Sequence, residues 1–178
     1  MLRISLLPPL TLAAPQNNIA PVSELAIKSD YHLFKAGVRP EWEDAQNKYG
    51  GKWAFQFPRA CGQAINEHWM RVMMAAIGER LEEEGDGEVM GVVVNVRKGY
   101  YRICVWTRTV GRSIPGLGDD DVAGGKGRSQ AKGEAILKAI GARFKDILKL
   151  TKNDVLEFVG HIDSAAIGST RARSRLTV

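Results

Sequence analysis

The sequence predicts an α+β domain, one antiparallel sheet covered on one face by two long helices, and three observations carry that prediction. Aromatic residues alternate along Trp53-Ala54-Phe55-Gln56-Phe57, as in a strand with one buried face. Two apolar runs, Val89 to Val96 and Tyr101 to Thr107, are joined around Gly99 and read as an antiparallel hairpin. Two longer stretches, Ala64 to Leu81 and Ser129 to Leu148, repeat apolar residues every three to four positions, as amphipathic helices do. At 178 residues and 44% apolar content, the chain is the size of one domain with one core.

Met1-Leu2-Arg3 followed by Ile4 to Ala14 has the outline of a secretory signal, but Pro8-Pro9 interrupts the apolar stretch. Residues 1–29 are therefore expected to be a leader, with the ordered domain, 30–178, beginning near Asp30. Tyr31-His32-Leu33-Phe34 is a short aromatic strand. Gly50-Gly51 is a turn that feeds the strand at Trp53.

In the first helix Ile65, Trp69, Val72, Met73, Ala76 and Ile77 form the apolar stripe. Met70 and Met74 lie partly off it, so either the stripe is wide or a second strip is exposed. An acidic turn, Glu82 to Glu88, leads to the hairpin. In its second strand Arg102, Cys104 and Trp106 share one face, while Tyr101, Ile103 and Val105 share the other. Gly111 to Gly127, rich in glycine and with three consecutive aspartates, is expected to be a mobile loop. The second helix turns Leu137, Ile140, Phe144 and Leu148 inward. Val155 to His161 is a last strand, and Gly168 to Arg175 is a basic loop carrying Arg171, Arg173 and Arg175.

Composition narrows the function classes. Twenty-five Lys and Arg against twenty Asp and Glu leave a net charge of +5, compatible with a polyanionic partner and equally with a solvated surface. The two cysteines, Cys61 and Cys104, suit a reducing compartment, Cys104 lying inside an apolar run like a buried thiol. His32, His68 and His161 are too scattered for a zinc site. No run approaches the roughly twenty apolar residues of a membrane span. GxSxG, HExxH and GxxxxGK[ST] motifs are all missing from the sequence, so hydrolytic machinery has little support.

Trp42-Glu43 lies in a loop-like setting between Pro40 and the polar run Asp44 to Lys48. A tryptophan there either anchors the loop on the core or offers its ring to a flat base, and such stacking is worth about 1–3 kcal/mol. The adjacent carboxylate can accept from the imino and exocyclic amino groups of guanine. A positively charged base such as N7-methylguanine would add a cation–π attraction of roughly 0.5–2 kcal/mol. Arg97, Lys98 and Arg102 flank the hairpin turn and are either a solvated tip or cations for phosphates attached to that base.

These segments together resemble the translation initiation factor 4E family. The match runs through His32 to Asp44 (His-Leu-Phe-Lys-Ala-Gly-Val-Arg-Pro-Glu-Trp-Glu-Asp) and Asn47 to Trp53. It continues through Trp69 to Glu79, Gly91 to Arg97, and Ile103 to Thr107. The resemblance implies a curved antiparallel sheet, helices on its convex back and a cap-binding slot on the concave face. Trp42 and Glu43 would then hold the 7-methylguanine of an mRNA cap, with Trp106 at its methyl group. Arg97, Arg102 and Lys52 would meet the cap phosphates.

By the same resemblance, the first helix docks the scaffold factor 4G and other proteins carrying a Tyr-x-x-x-x-Leu-hydrophobic motif, through Trp69, Met70, Arg71 and Met74. Arg71 departs from the neutral or acidic residue usual there. The implied protein is a cytoplasmic, monomeric cap-binding initiation factor without enzymatic activity, cofactor or metal. The alternative is a partner-binding competitor that holds the cap weakly.

A second departure concerns stacking. The family places one tryptophan of its base sandwich in a strand before the equivalent of Trp42, and here no tryptophan precedes Trp42. Loss of one ring is expected to remove about 1–3 kcal/mol, roughly five- to a hundredfold in affinity. Loss of that strand is expected to leave a bare sheet edge. A gene model misjoined over residues 1–16 is the simplest expectation, and a divergent paralogue the other.

Overall fold

The computed structural model describes residues 2–4, 19–163 and 176–178. They form a seven-stranded, wholly antiparallel sheet and two long helices, which is the α+β architecture expected. The elements are β1 (Leu2–Ile4), β2 (Asp30–Lys35), β3 (Gly51–Pro58), α1 (Ala64–Ile77), β4 (Val89–Val96), β5 (Tyr100–Thr107), α2 (Gln130–Ile147), β6 (Glu157–Gly160) and β7 (Leu176–Thr177). Across the sheet the order is β1-β2-β4-β5-β3-β6-β7, so the hairpin β4–β5 is central and the strands around it are added from both ends of the chain.

Alternation sorts the strands into two faces. Leu33, Trp53, Phe57, Val92, Val94, Val96, Tyr101, Ile103 and Val105 are buried together with the apolar stripes of α1 and α2. Trp53 is fully buried; its indole N–H donates to the Leu137 carbonyl at 2.9 Å, and a Cβ on Gly141 would lie 2.8 Å from its ring. That glycine lets α2 approach the sheet closely enough to seal the core. The opposite face carries a smaller cluster of Phe34, Met90, Val93 and Cys104, against which Val38, Ala54 and Trp106 pack. A bulge between Val89 and Gly91 inserts the extra residue Met90, which joins this second cluster.

Three differences from expectation have physical reasons. Helix α1 ends at Ile77 rather than Leu81, because Glu79 takes the left-handed conformation (φ 52°) and the chain folds Leu81 into the core. The edge of β2 is paired, since Leu2–Ile4 lies antiparallel to Leu33–Lys35. Upstream of residue 30 the turn Val22–Glu24 also docks on α1, with Val22 buried, the Ser23 amide donating to Asn66 Oδ1 and Asn66 Nδ2 donating to Ser23 Oγ. A three-residue strand and a single turn have too little periodicity to be read from sequence.

The glycine-rich stretch after β5, expected to be a mobile loop, folds back on itself. The Ile114 amide donates to the Gly124 carbonyl at 2.7 Å and the Lys126 amide to that of Gly118 at 3.1 Å. Arg128 closes it, buried, donating to the Asp86 carbonyl and lying 3.4 Å from the Glu88 carboxylate. Arg171, Arg173 and Arg175, and most of the leader, lie outside the described residues.

Candidate functional site

The segment between β2 and β3 is fastened by two polar side chains. Asp44, buried, accepts from the backbone amides of Gln46 (2.9 Å) and Arg39 (3.2 Å). Burial alone would raise its carboxyl; the two amides and the Arg39 guanidinium together outweigh that and hold it below the usual carboxylate range. Asn47, also buried, donates from its amide to the carbonyls of Arg39 (2.7 Å) and Glu41 (2.9 Å). At the foot of the loop the carbonyl of Thr107 comes so near that a Cβ on Gly50 would stand 1.8 Å from it. No side chain fits there, which accounts for one of the two glycines in the turn.

With the fastening done by Asp44 and Asn47, Trp42 is left 46% exposed and Glu43 is exposed beside it. Trp42 is therefore no core anchor. An exposed aromatic face next to an exposed carboxylate, on a loop already rigidified by hydrogen bonds, is a preorganised surface for a flat, hydrogen-bonding ligand.

Trp106 stands on the open face of β5. Phe34 meets it edge-on, centroids 5.4 Å apart at 80°, and the ring of Phe34 lies over Gly91, where a Cβ would be 2.5 Å away. On its other side lies His161, 4.2 Å away at 45°. Lys52 is the register partner of Trp106 on β3. Burial lowers the Lys52 ammonium from its ordinary value, and the like charge of Arg102 adds to this against the opposing influence of Cys104.

The three predicted phosphate-contacting residues are not equally available. The Arg102 Nε donates to Asn95 Oδ1 at 3.1 Å, Asn95 Nδ2 donates to Asp30 Oδ1 at 2.9 Å, and Arg97 Nη1 donates to the same oxygen at 2.7 Å. Arg97 also donates to the carbonyls of Ser29 and Val96, and its hydrogen bond to Asp30 raises its guanidinium above the ordinary value. So Arg97 is folded onto β2 while Arg102 and Lys52 remain on the face of the sheet with Trp106. With Arg97 on the Asp30 carboxylate and Arg102 on Asn95, the row Asp30–Asn95–Arg102 and Arg97 together set two guanidinium charges against one carboxylate and are net cationic.

On the helical side of the sheet, α1 exposes Met74 (53%) and Ile77 (47%), and Arg71 pairs with Glu67 one turn earlier. Met70 is half-buried, whereas Trp69 is buried in the core, and its indole nitrogen meets no hydrogen-bond partner among the described residues. A groove of ≈ 690 Å³ runs between α1 and the end of α2, lined by Arg71, Met74 and Ile147 among others.

The sequence model of the family described as Eukaryotic initiation factor 4E matches residues 12–176. The chain belongs to this family. It is 46% identical over 162 residues to the Schizosaccharomyces pombe eukaryotic translation initiation factor 4E-1, covering 91% of this chain and 64% of that protein. It is 43% identical over 144 residues to the Candida glabrata factor 4E, covering 81% and 57%. The chain thus spans less than two thirds of the length of these curated relatives.

Among solved structures it is similar to C. elegans eIF4E-3 in complex with the 4E-binding protein Mextli and a cap analog, with a TM-score of 0.69, 30% identity, and coverage of 91% of this chain and 76% of that one. It is likewise similar to Ascaris suum eIF4E-3 with an m7G cap, with a TM-score of 0.69, 28% identity, and coverage of 91% and 75%.

For this factor 4E family member, three residues of the open face carry no signal in the local sequence. Asp30 and Asn95 enter only through strand register, which no local pattern announces. His161 ends the expected strand Val155 to His161, a position that gives no sign of the ring it packs against. Its burial behind Trp106, at 4% exposure, is a tertiary fact.

Proposed function

We propose that this chain is a binding protein for the 7-methylguanosine cap of messenger RNA and, through α1, a docking platform for proteins of the translation initiation machinery. The observation that carries the reading is the loop that presents Trp42 and Glu43 outward while Asp44 and Asn47 do its structural work. Two further features support it. Relatives in the same family have been solved with cap or cap analog, and one of them with a 4E-binding protein. Of the four tryptophans, Trp53 and Trp69 are in the core, so Trp42 and Trp106 are the two left for a ligand.

In this reading Trp42 stacks on the base and Glu43 accepts from its imino and amino groups. Trp106, steadied by Phe34 and His161, lies against the methylated edge. Lys52 and Arg102 take the nearer phosphates, with Arg97 behind them. Met70, Arg71 and Met74 form the partner surface, with Trp69 supporting it from beneath. The binding unit centres on residues 30–178, with the turn Val22–Glu24 and strand β1 packed onto it, and works as a monomer in the cytoplasm. Among the described residues no helix is long and apolar enough to cross a membrane.

Retention on immobilised 7-methyl-GTP, with unmethylated GTP as competitor and Trp42→Ala and Glu43→Ala as controls, tests the proposal. Retention that resists GTP and is lost in both variants supports it. No retention, with binding to a Tyr-x-x-x-x-Leu-hydrophobic peptide intact, would instead favour a partner-binding competitor.

A further inference from the structure

His161 is buried, and beyond its contact with Trp106 the proposed roles ask nothing of it. Two contacts and one unpaired atom define its position. Its backbone amide donates at 2.9 Å to the carbonyl of Gly50, the end of the loop that carries Trp42 and Glu43. Its ring lies 4.2 Å from the indole of Trp106 at 45°. Its Nε2 is buried and meets no partner among the described residues. One residue therefore joins the loop half of the slot to the Trp106 half.

We propose that His161 is a positioning residue of the slot, and that its uncharged ring sets the place of Trp106 and leaves the indole's π face free for a cationic base. The inference rests on the cap-binding reading above. The electrostatic argument is direct. A cation over an indole is attracted to the ring quadrupole, and a second cation brought to the same ring meets both a spent π face and a like charge. An imidazolium behind Trp106 would thus act against N7-methylguanine and far less against neutral guanine. Burial, and the positive charge of Lys52 beside it, hold His161 at about 3, so the ring is neutral at physiological pH.

The unpartnered Nε2 separates this role from plain packing. A buried nitrogen that satisfies nothing does not favour folding, so a histidine is not what the core requires at this place. A carbocyclic ring of similar shape would serve the fold as well, and it would also keep Trp106 in position.

The experiment measures dissociation constants of the full chain for 7-methyl-GTP and for GTP, with thermal melts as the check on folding. His161→Phe is expected to stay within about twofold of wild type for both ligands. His161→Ala and His161→Gln, which remove the ring, are expected to weaken 7-methyl-GTP by roughly fivefold or more and to lower the ratio of the two affinities. His161→Lys, which fixes a charge behind Trp106, is expected to lower that ratio further. A folded His161→Gln chain with both affinities and their ratio unchanged overturns the proposal; should His161→Ala not fold, His161→Gln and His161→Phe carry the test. Failure of the wild-type chain to bind 7-methyl-GTP would instead remove the cap reading and this inference together.

Discussion

Asn47 donates its side-chain amide to the carbonyl of Glu41, at 2.9 Å, one peptide before Trp42. The same group reaches Arg39 at 2.7 Å, so a single buried side chain ties the stretch entering Trp42 and Glu43 to the residue that closes the turn beyond them. Asn47→Ala deletes both donors and strands two carbonyls. The expected cost is about 1–3 kcal/mol of stability, with weakened 7-methyl-GTP binding because the loop is no longer preorganised. Chemical denaturation and 7-methyl-GTP titration of the variant check both; unchanged affinity in a destabilised chain would show that the loop geometry does not limit binding.

Much of the site was legible because strand alternation is local. Arg102, Cys104 and Trp106 read as one face of a strand, and the structure puts Cys104 and Trp106 in the cluster opposite the helices while Tyr101, Ile103 and Val105 are fully buried beneath α1 and α2. Arg97, expected at the cap phosphates, is drawn to Asp30, a partner 67 residues away in the sequence. Pairing of β2 with β4 aligns Asp30 with Asn95, and no spacing within either segment shows it. Trp69, which the resemblance sets on the partner surface with Met70 and Met74, lies in the stripe of Ile65, Val72, Met73 and Ala76 that is buried. A helix shows which residues share a stripe, and only packing shows how wide the covered sector is.

The Arg97–Asp30 pair predicts how the triphosphate is felt. Asp30→Asn keeps an acceptor for Asn95 and removes the charge that holds Arg97, raising the local charge by one. Affinity for 7-methyl-GTP is expected to rise roughly two- to fivefold at low ionic strength and to converge with wild type at high salt, where exposed charges are screened. Lys52→Ala is expected to do the reverse, with weaker binding and a shallower salt dependence. Titrations across a salt series decide; an Asp30→Asn chain with the wild-type salt slope would show that Arg97 does not meet the phosphates.

His161 also makes a stability prediction. Its value falls from 6.5 to about 3 on folding, burial being the larger cause and Lys52 the smaller. Between those values the unfolded chain binds a proton that the folded chain refuses, so stability is fully present above about 6.5 and is lost as the pH falls, by at most about 1.4 kcal/mol per pH unit. Asp44, lowered in the fold, contributes in the same sense but only below the ordinary carboxylate range. Denaturation midpoints of wild type and His161→Phe, compared from neutral pH downward, should therefore diverge first between about 6.5 and 4, the variant being the flatter. Parallel curves there would mean that His161 is not neutral when buried.

The helical surface can be separated from the slot by substituting where α1 is exposed rather than where it is buried. Met74 is 53% exposed and Ile77 47%, so Met74→Glu or Ile77→Glu should change folding stability by less than about 1 kcal/mol. Trp69→Ala, by contrast, empties a core position and should cost about 3–5 kcal/mol, so any loss of partner binding in that variant would say nothing about contact. If α1 docks a Tyr-x-x-x-x-Leu-hydrophobic segment, a carboxylate at either exposed position is buried against apolar side chains in the complex, and affinity for such a peptide should drop at least tenfold. Retention on 7-methyl-GTP should be untouched, because α1 and Trp106 lie on opposite faces of the sheet. A peptide that binds Met74→Glu and Ile77→Glu as it binds wild type would move the docking surface elsewhere, and the groove between α1 and α2, with Ile147 on its far wall, would be the next place to introduce a charge.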